Sequence, residues 1–255
     1  MEEHMKKLIG LSFALVVAVA VLAFLKVNAG AVNTGFPDTE PLSQDAIAEI
    51  ESSNDLVYLT EEPDKSVIDC FDVNKDGLIV FGHEIGLGSK YLITVYTSGG
   101  EFLYGYRFDD GGQQINVEWD GNDINVYHVR SDVLVSIDDK GETVGYLKVS
   151  DTQDNINYSN YLSSEKRTVG DREYEIKSIG PFFLFVSPSK LIVTEPDGIS
   201  RTIYDASGVS VAKQIVIILS VIALLFIVIG AIRVNNGNSR IIPLTTGHNC
   251  GTIIS

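Results

Sequence analysis

The sequence predicts an all-β domain of antiparallel, four-stranded repeats enclosed between two transmembrane α-helices. Residues 8–25 (LIGLSFALVVAVAVLAFL) and 215–232 (IVIILSVIALLFIVIGAI) are apolar runs of 18 residues without a charge. A helix that rises about 1.5 Å per residue makes each run roughly 27 Å long, close to the hydrocarbon thickness of a bilayer. Between the runs, short apolar segments alternate with turn residues about every 8–12 positions, which is typical of all-β domains.

Basic residues beside the two apolar runs predict the orientation of the chain. Lys6 and Lys7 precede the first run, and Arg233 and Arg240 follow the second. Basic residues are retained on the cytoplasmic side of a membrane. We therefore expect a plasma-membrane protein with both termini in the cytoplasm and residues 30–210 outside it.

The first run has a second interpretation, because Val27-Asn28-Ala29 resembles the small-residue cleavage site of a secretory signal. The run is longer than the apolar part of most signals, which favours an uncleaved anchor. Both alternatives leave residues 30–210 outside the cytoplasm. The second run anchors them in either case.

The segment 30–210 carries 13 basic and 32 acidic side chains, a balance of −19, in a chain whose formal net charge is −15. Such a domain repels phosphates, so nucleic acid is excluded as a partner. The charge is compatible with cations, cationic peptides or simple solubility. Cys70 and Cys250 fall on opposite sides of the predicted membrane, so the domain must be held by packing and not by disulfides.

Composition and turn residues divide the chain into eight predicted segments. Prolines and acidic residues mark a stalk that contains a short helix, and Asn, Ser and Asp mark an insertion between repeats. The segments are a cytoplasmic N-terminus (1–7), a transmembrane helix or signal peptide (8–25), the acidic stalk (30–65), two β repeats (66–149), an insertion loop (150–171), a third repeat (172–205), a transmembrane helix (215–232) and a cytoplasmic tail (233–255).

The repeats are predicted from turns that recur at a fixed offset. Gly77 and Gly121 are 44 residues apart, and Gly100 and Gly141 are 41 apart, which is the length of a four-stranded propeller blade. The predicted strands are 67–73, 78–82, 91–97 and 102–108, then 115–119, 124–129, 133–137 and 143–149, and finally 174–179, 182–186, 191–194 and 199–204.

The repeating unit consists of a strand, a D-G turn, two strands, an x-G-E turn and a fourth strand. It resembles a blade of the NHL or YVTN type of β-propeller. It is also similar to propeller-like ectodomains of uncharacterised bacterial membrane proteins. The resemblance covers residues 66–205 and implies a fold but hardly a function. Closed propellers have four to eight blades, and this chain has three. The repeats could form an open stack, residues 56–59 could add an outer strand to a reduced assembly, or two chains could form a six-bladed homodimeric ring.

The motif Asp72-Val73-Asn74-Lys75-Asp76-Gly77 resembles the opening of a calcium loop. Oxygen-bearing side chains at alternate positions and a Gly turn can wrap one cation, so Asp72, Asn74 and Asp76 are the predicted calcium ligands. The later ligand positions do not match, since the ninth residue is Val80 and the twelfth is His83. The alternative is a turn between two strands, where Asp, Asn and Gly are favoured. No other cofactor is predicted.

The sequence favours a binding or assembly role at the cell surface over catalysis. It has no G-x-S-x-G motif to indicate an activated serine. His83 and His128 lie near the second predicted strand of their repeats, where a histidine is usually hydrogen-bonded within the fold. The alternatives are a membrane-bound hydrolase acting on carbohydrate or peptide, which requires a carboxylate pair, and a sensor subunit that signals through a partner protein.

Overall fold

The structure is a computed structural model, and it describes residues 32–53, 55–85, 90–109, 114–178 and 188–238. The chain divides into two compact units, Met1–Ser210 and Val211–Ser255. In the first unit, the described strands form three antiparallel sheets. This arrangement confirms the predicted all-β fold class.

Each sheet is built on four consecutive strands that correspond to one repeat. Sheet 1 contains β3 (Cys70–Val73), β4 (Ile79–Ile85), β5 (Lys90–Tyr96) and β6 (Phe102–Asp109). Sheet 2 contains β7 (Ile115–Asp120), β8 (Asp123–His128), β9 (Val133–Ile137) and β10 (Thr143–Val149). Sheet 3 contains β11 (Lys166–Val169), β12 (Arg172–Ser178), β13 (Pro188–Thr194) and β14 (Ser200–Asp205).

Three of the hairpin turns are closed in the same way. The side-chain oxygen of Asn74, Thr97 or Asp138 accepts hydrogen bonds of 2.8–3.2 Å from the backbone N–H groups two and four residues later. In each turn, the glycine three residues after this side chain has a φ between 81° and 88°. Glycine adopts this left-handed conformation without a steric penalty, so the recurring glycines of the sequence mark real turns.

Sheet 1 lies between the other two sheets, although its repeat comes first in the chain. Its side chains on one face form a core with sheet 2, and those on the other face form a core with sheet 3. In β4, for example, Val80 belongs to the core with sheet 2, and Ile79 and Phe81 belong to the core with sheet 3. A strand buried on both faces is apolar without alternation, and the first five residues of β4 are buried.

The three sheets form an open stack, and they do not close a ring within the described residues. The outer face of sheet 2 is covered by this chain's own Phe36 and Leu162. The outer face of sheet 3 carries exposed ion pairs, including those of Lys166 with two glutamates. A propeller blade needs an apolar face for its neighbour, and neither outer face offers one. The expected outer strand is present as β2 (Val57–Leu59), which pairs with β6.

The segment predicted as an acidic stalk, residues 30–65, is instead part of the β domain over its described residues. β1 (Thr39–Pro41) pairs with β10, and β2 pairs with β6, so sheets 2 and 1 each have five strands. Between them, α1 (Gln44–Ser53) occupies the position of the predicted short helix, and Ile50 packs against the core between sheets 1 and 2. β1 is three residues long, mostly exposed and without an apolar pattern, so the sequence did not reveal it.

The segment predicted as an insertion loop, residues 150–171, instead contains α2 (Gln153–Leu162) and strand β11. The third repeat therefore begins at Lys166 and not at residue 172. Thr152 caps α2, because its side chain accepts a hydrogen bond from the backbone N–H of Asn155. Tertiary contacts of buried Asn155 and Leu162 hold this polar helix in place. The strand predicted at residues 182–186 lies outside the described residues.

The second apolar run lies in α3 (Ser207–Asn238). Ser207–Gly230 is long and apolar enough to cross a bilayer, and it is the one such helix in the described part of the chain. Side chains such as Leu224 and Phe226 are 61% and 71% exposed, an unfavourable state in water. The first apolar run, residues 8–25, lies outside the described residues, as does the tail beyond Asn238.

Candidate functional site

Asp72, the first residue of the predicted calcium motif, lies on β3 where three sheets meet. Its Oδ1 accepts a hydrogen bond from Nε of Arg167 in sheet 3 at 3.1 Å. Its Oδ2 accepts one from the backbone N–H of Trp119 in sheet 2 at 3.0 Å. Burial raises the pKa of this carboxyl, and both donors oppose the rise. Both carboxylate oxygens therefore have partners from neighbouring sheets.

Asn74 and Asp76, the other two predicted calcium ligands, lie in the turn between β3 and β4. Oδ1 of Asn74 accepts hydrogen bonds from the backbone N–H groups of Asp76 at 3.0 Å and Leu78 at 2.9 Å. Thr97 closes its turn in the same way without a D-x-N-x-D-G motif. Among the residues that the structure describes, no three His, Cys, Asp or Glu side chains are grouped to hold a metal ion. The calcium site stays a prediction.

Arg167 joins sheet 3 to sheet 1 and to the end of α2. Its side chain is 2% exposed, and it donates hydrogen bonds to the backbone oxygens of Phe71 at 3.1 Å and Leu162 at 2.8 Å. Its guanidinium carbon lies 4.6 Å from the centre of the Tyr161 ring. Since these bonds use the guanidinium within the fold, we assign Arg167 a structural role.

The two histidines of the domain are buried in the fold, as expected. Nδ1 of His83 lies 2.8 Å from the backbone oxygen of Val67, and Nε2 lies 2.9 Å from Oγ1 of Thr94. Burial lowers the pKa of His83 from 6.5 to about 4, so this side chain is neutral near pH 7. His128 is 5% exposed and lies beside the ring of Phe108. Neither side chain is presented to a ligand.

A pocket of about 270 Å³ opens between α2 and sheet 2, and we call it the α2 pocket. The turn between β8 and β9, the chain that follows β10, and one side of α2 form its walls. Val129 and Ile156 supply apolar surface. The polar lining residues that matter for its chemistry are Tyr127, Asp132, Ser150, Asp151, Asn155 and Asn160.

Asp132 is held in the pocket wall in an unusual backbone conformation. Its φ is 53°, which places this residue in the left-handed region that few non-glycine residues adopt. Its Oδ1 accepts a hydrogen bond from the Tyr127 hydroxyl at 3.0 Å, and its Oδ2 lies 3.6 Å from Nζ of Lys148. Burial raises the pKa of Tyr127, and the carboxylates of Asp132 and Asp151 add to the rise. Two side-chain contacts therefore position Asp132, and the pocket wall carries negative charge.

Asn155 forms the floor of the pocket and is fully engaged within the fold. Its amide nitrogen donates hydrogen bonds of 2.7 Å to the backbone oxygens of Asp38 and Ser150, and its Oδ1 accepts one from the backbone N–H of Asp38. By contrast, the side chains of Asp151 and Asn160 make no hydrogen bond to another described residue, and both are exposed to solvent. Their polar groups are therefore open to solvent at the pocket.

Glu118 anchors the helix that forms the pocket. This buried carboxylate accepts hydrogen bonds from the Tyr158 hydroxyl of α2 at 2.5 Å and from the Asn125 amide at 3.0 Å. It also accepts bonds from the Thr34 hydroxyl and from the backbone N–H of Gly35 at 3.2 Å. The same carboxylate therefore fixes both α2 and the N-terminal segment on the outer face of sheet 2.

The α2 pocket was not predicted from the sequence, because the Asn-, Ser- and Asp-rich segment after β10 is typical of a surface loop. The signal that could have revealed the helix is Thr152, an N-cap residue, followed by Asp154 in the first turn. Buried Asn155 and Leu162 are seven residues apart, a helical spacing. Asn and Ser between them obscured this pattern.

The geometry does not favour catalysis by paired carboxylates. A glycosidase acid has a raised pKa and lies beside its substrate cleft. The carboxyls with a clearly raised pKa in the described chain are Asp72, in the junction of the sheets, and Asp123, in the hairpin after β7. Neither lines the α2 pocket. The hydrolase remains an untested alternative.

A comparison with protein-family models, curated proteins and solved structures found no match for this chain.

Proposed function

We propose that this chain is a membrane-anchored binding protein that presents the α2 pocket outside the cytoplasm. The observation that carries the proposal is the pocket itself, which the exposed side chains of Asp151 and Asn160 line. Ligand pockets combine apolar walls with a few polar groups, as this pocket does. A pocket of about 270 Å³ lies just below the usual range, which favours a small ligand or a single side chain.

The proposed setting is a β-repeat domain between two transmembrane helices, with residues 30–210 outside the cytoplasm. It is supported by the length and composition of Ser207–Gly230 and by the acidic charge of the domain. The three repeats are proposed to be blade-like units in an open stack. A six-bladed homodimer is less well supported, because two chains would have to join through the outer faces of sheets 2 and 3. The first of these faces is covered by this chain's own residues, and the second carries exposed ion pairs.

The topology is tested by labelling intact cells with a maleimide that cannot cross membranes. Asp171→Cys places a thiol in the exposed turn between β11 and β12, and we expect it to be labelled. The parent chain is the control, because Cys70 is buried and Cys250 is expected in the cytoplasm. Labelling of Asp171→Cys only after permeabilisation would overturn the proposed location.

Binding is tested on the full chain in phosphatidylcholine nanodiscs, with a panel of saccharides, amino acids, amines and carboxylic acids. We expect at least one class to bind, measured as a dissociation constant by isothermal titration calorimetry. Asn160→Trp should block the pocket, whereas Asn157→Trp, on the same helix but outside the pocket, should not. If no class binds, or if both variants bind equally, the pocket is not a ligand site.

A further inference from the structure

The charge of the α2 pocket selects among these ligand classes. Its charged lining residues in the described chain are Asp132 and Asp151, both carboxylates. No lysine or arginine lines the pocket there. Two carboxylates beside a partly enclosed space favour a positive ligand group, because they attract a cation and repel an anion.

The two carboxylates differ in how much of their charge is already compensated. Asp132 accepts a hydrogen bond from Tyr127 and lies 3.6 Å from Nζ of Lys148. Lys148 also donates a 2.7 Å hydrogen bond to the backbone oxygen of Ser131, and this second contact holds its ammonium group near Asp132. Asp151 has no hydrogen-bond partner among the described residues. Asp151 is therefore the stronger anionic contact, and Asp132 is the second.

The remaining surface of the pocket suits a short carbon chain attached to the positive group. Val129 and Ile156 line the space, and Ile156 is 44% exposed. The Tyr127 ring also lines the pocket, and an aromatic ring attracts a cation placed over its face. The Asn160 amide can accept a hydrogen bond from an ammonium or guanidinium group.

We infer that the α2 pocket binds an organic cation, an ammonium or guanidinium group on a short carbon chain, with Asp151 as its principal contact. This inference rests on the proposed function, because it names the ligand class of the same pocket. The cation has two sources with the same chemistry: a free amine or the lysine or arginine side chain of a peptide. The domain charge of −19 attracts both.

The experiment measures dissociation constants by calorimetry on the full chain in phosphatidylcholine nanodiscs. The probes are agmatine and 1,4-diaminobutane as free cations, a glycine-flanked lysine or arginine tripeptide with blocked ends, and 1,4-butanediol as the neutral isostere. We expect the cations to bind and the diol to fail. Binding of the free amines alone would identify a small metabolite, and binding of the peptides alone would identify a protein partner. Either result supports the inference that the pocket binds an organic cation.

Three charge variants test which residues contact the cation. Asp151→Asn should weaken binding about fivefold, as expected for the loss of a solvent-exposed charge contact. Asp154→Asn removes the same charge from the exposed first turn of α2, outside the pocket, and should change affinity by less than about twofold. Lys148→Met should strengthen binding about two- to fivefold, because it frees Asp132 from a competing cation.

Two outcomes overturn the inference, and they separate it from the proposed function. In the first outcome, neutral saccharides bind, Asn160→Trp blocks their binding, and the cations do not bind. The inferred ligand class is then wrong, but the proposed binding function stands. If Asp151→Asn and Asp154→Asn weaken cation binding equally, the attraction is only general and the pocket does not recognise the cation. If no probe of any class binds, the proposed function also fails.

Discussion

Arg167 and Asp72 form a buried ion pair in which Nε lies 3.1 Å from Oδ1, with side chains 2% and 16% exposed. Asp72 belongs to sheet 1 and Arg167 to sheet 3, and the other Asp72 oxygen accepts the N–H of Trp119 in sheet 2. One carboxylate therefore links all three sheets. This geometry gives Asp72 a structural role at the junction of the sheets.

Loss of Arg167 should destabilise the domain far more than loss of its exposed neighbour. Arg167→Met leaves the Asp72 carboxylate buried without its cation, which costs about 3–5 kcal/mol of unfolding free energy. Lys166→Met removes exposed, solvent-screened ion pairs on the same strand and should change stability far less. Urea unfolding followed by Trp119 fluorescence measures both. Equal losses would show that the pair is not a structural junction.

Stability should fall between pH 6.5 and pH 4 because of His83. Burial lowers its pKa from 6.5 to about 4, so below pH 6.5 the unfolded chain binds a proton that the folded domain does not. The stabilisation is complete above pH 6.5 and declines as the pH falls towards 4, by about 3 kcal/mol in total.

Unfolding free energies of the parent and of His83→Gln over this range test the His83 contribution. The variant should be less stable at pH 7, because it disturbs the contacts with Val67 and Thr94. It should also lack the part of the pH slope that His83 supplies. An unchanged slope in the variant would assign the acid sensitivity to other groups.

Gly82 allows β7 to pack closely against sheet 1. A Cβ at this position would lie 2.5 Å from Sγ of Cys70 and 3.3 Å from Cδ1 of Ile115. Gly82→Ala should therefore cost about 1–3 kcal/mol by overpacking. Gly99→Ala is the control, because its nearest neighbour would lie at 3.5 Å. Adding Cys70→Ala to Gly82→Ala should recover part of the loss, and its failure to do so would argue against the steric cause.

The turn role of Asn74 can be separated from calcium binding. Asn74→Ala and Thr97→Ala each remove a side chain that accepts two backbone N–H bonds, so each should lower stability by about 1 kcal/mol. Calcium should leave the unfolding temperature of the parent unchanged. A rise with calcium that Asn74→Ala abolishes and Thr97→Ala retains would instead establish the predicted site.

The strands of sheets 1 and 2 were predictable because their turn glycines and alternating side chains are local signals. The order of the sheets was not predictable, because it depends on which sheet faces meet in space. β4 is apolar on both faces, which indicates that its sheet is central but does not show which sheets pack against it. β1 was not predicted because a three-residue, mostly exposed edge strand buries little, whereas β2 lies within the predicted strand 56–59. The α2 pocket was not predicted either, because tertiary contacts of Asn155 and Tyr158 hold that helix.

The Glu118 network has a mechanical consequence. It fastens Thr34 and Gly35 to the outer face of sheet 2, whereas the chain leaves the domain after β14 of sheet 3. The two points of attachment therefore lie on opposite sides of the stack, about 20 Å apart if adjacent sheets are spaced by about 10 Å. Tension between these two points would therefore pull on both apolar interfaces, the one between sheets 2 and 1 and the one between sheets 1 and 3. The Glu118 contacts and the Asp72–Arg167 pair would resist the separation of the sheets.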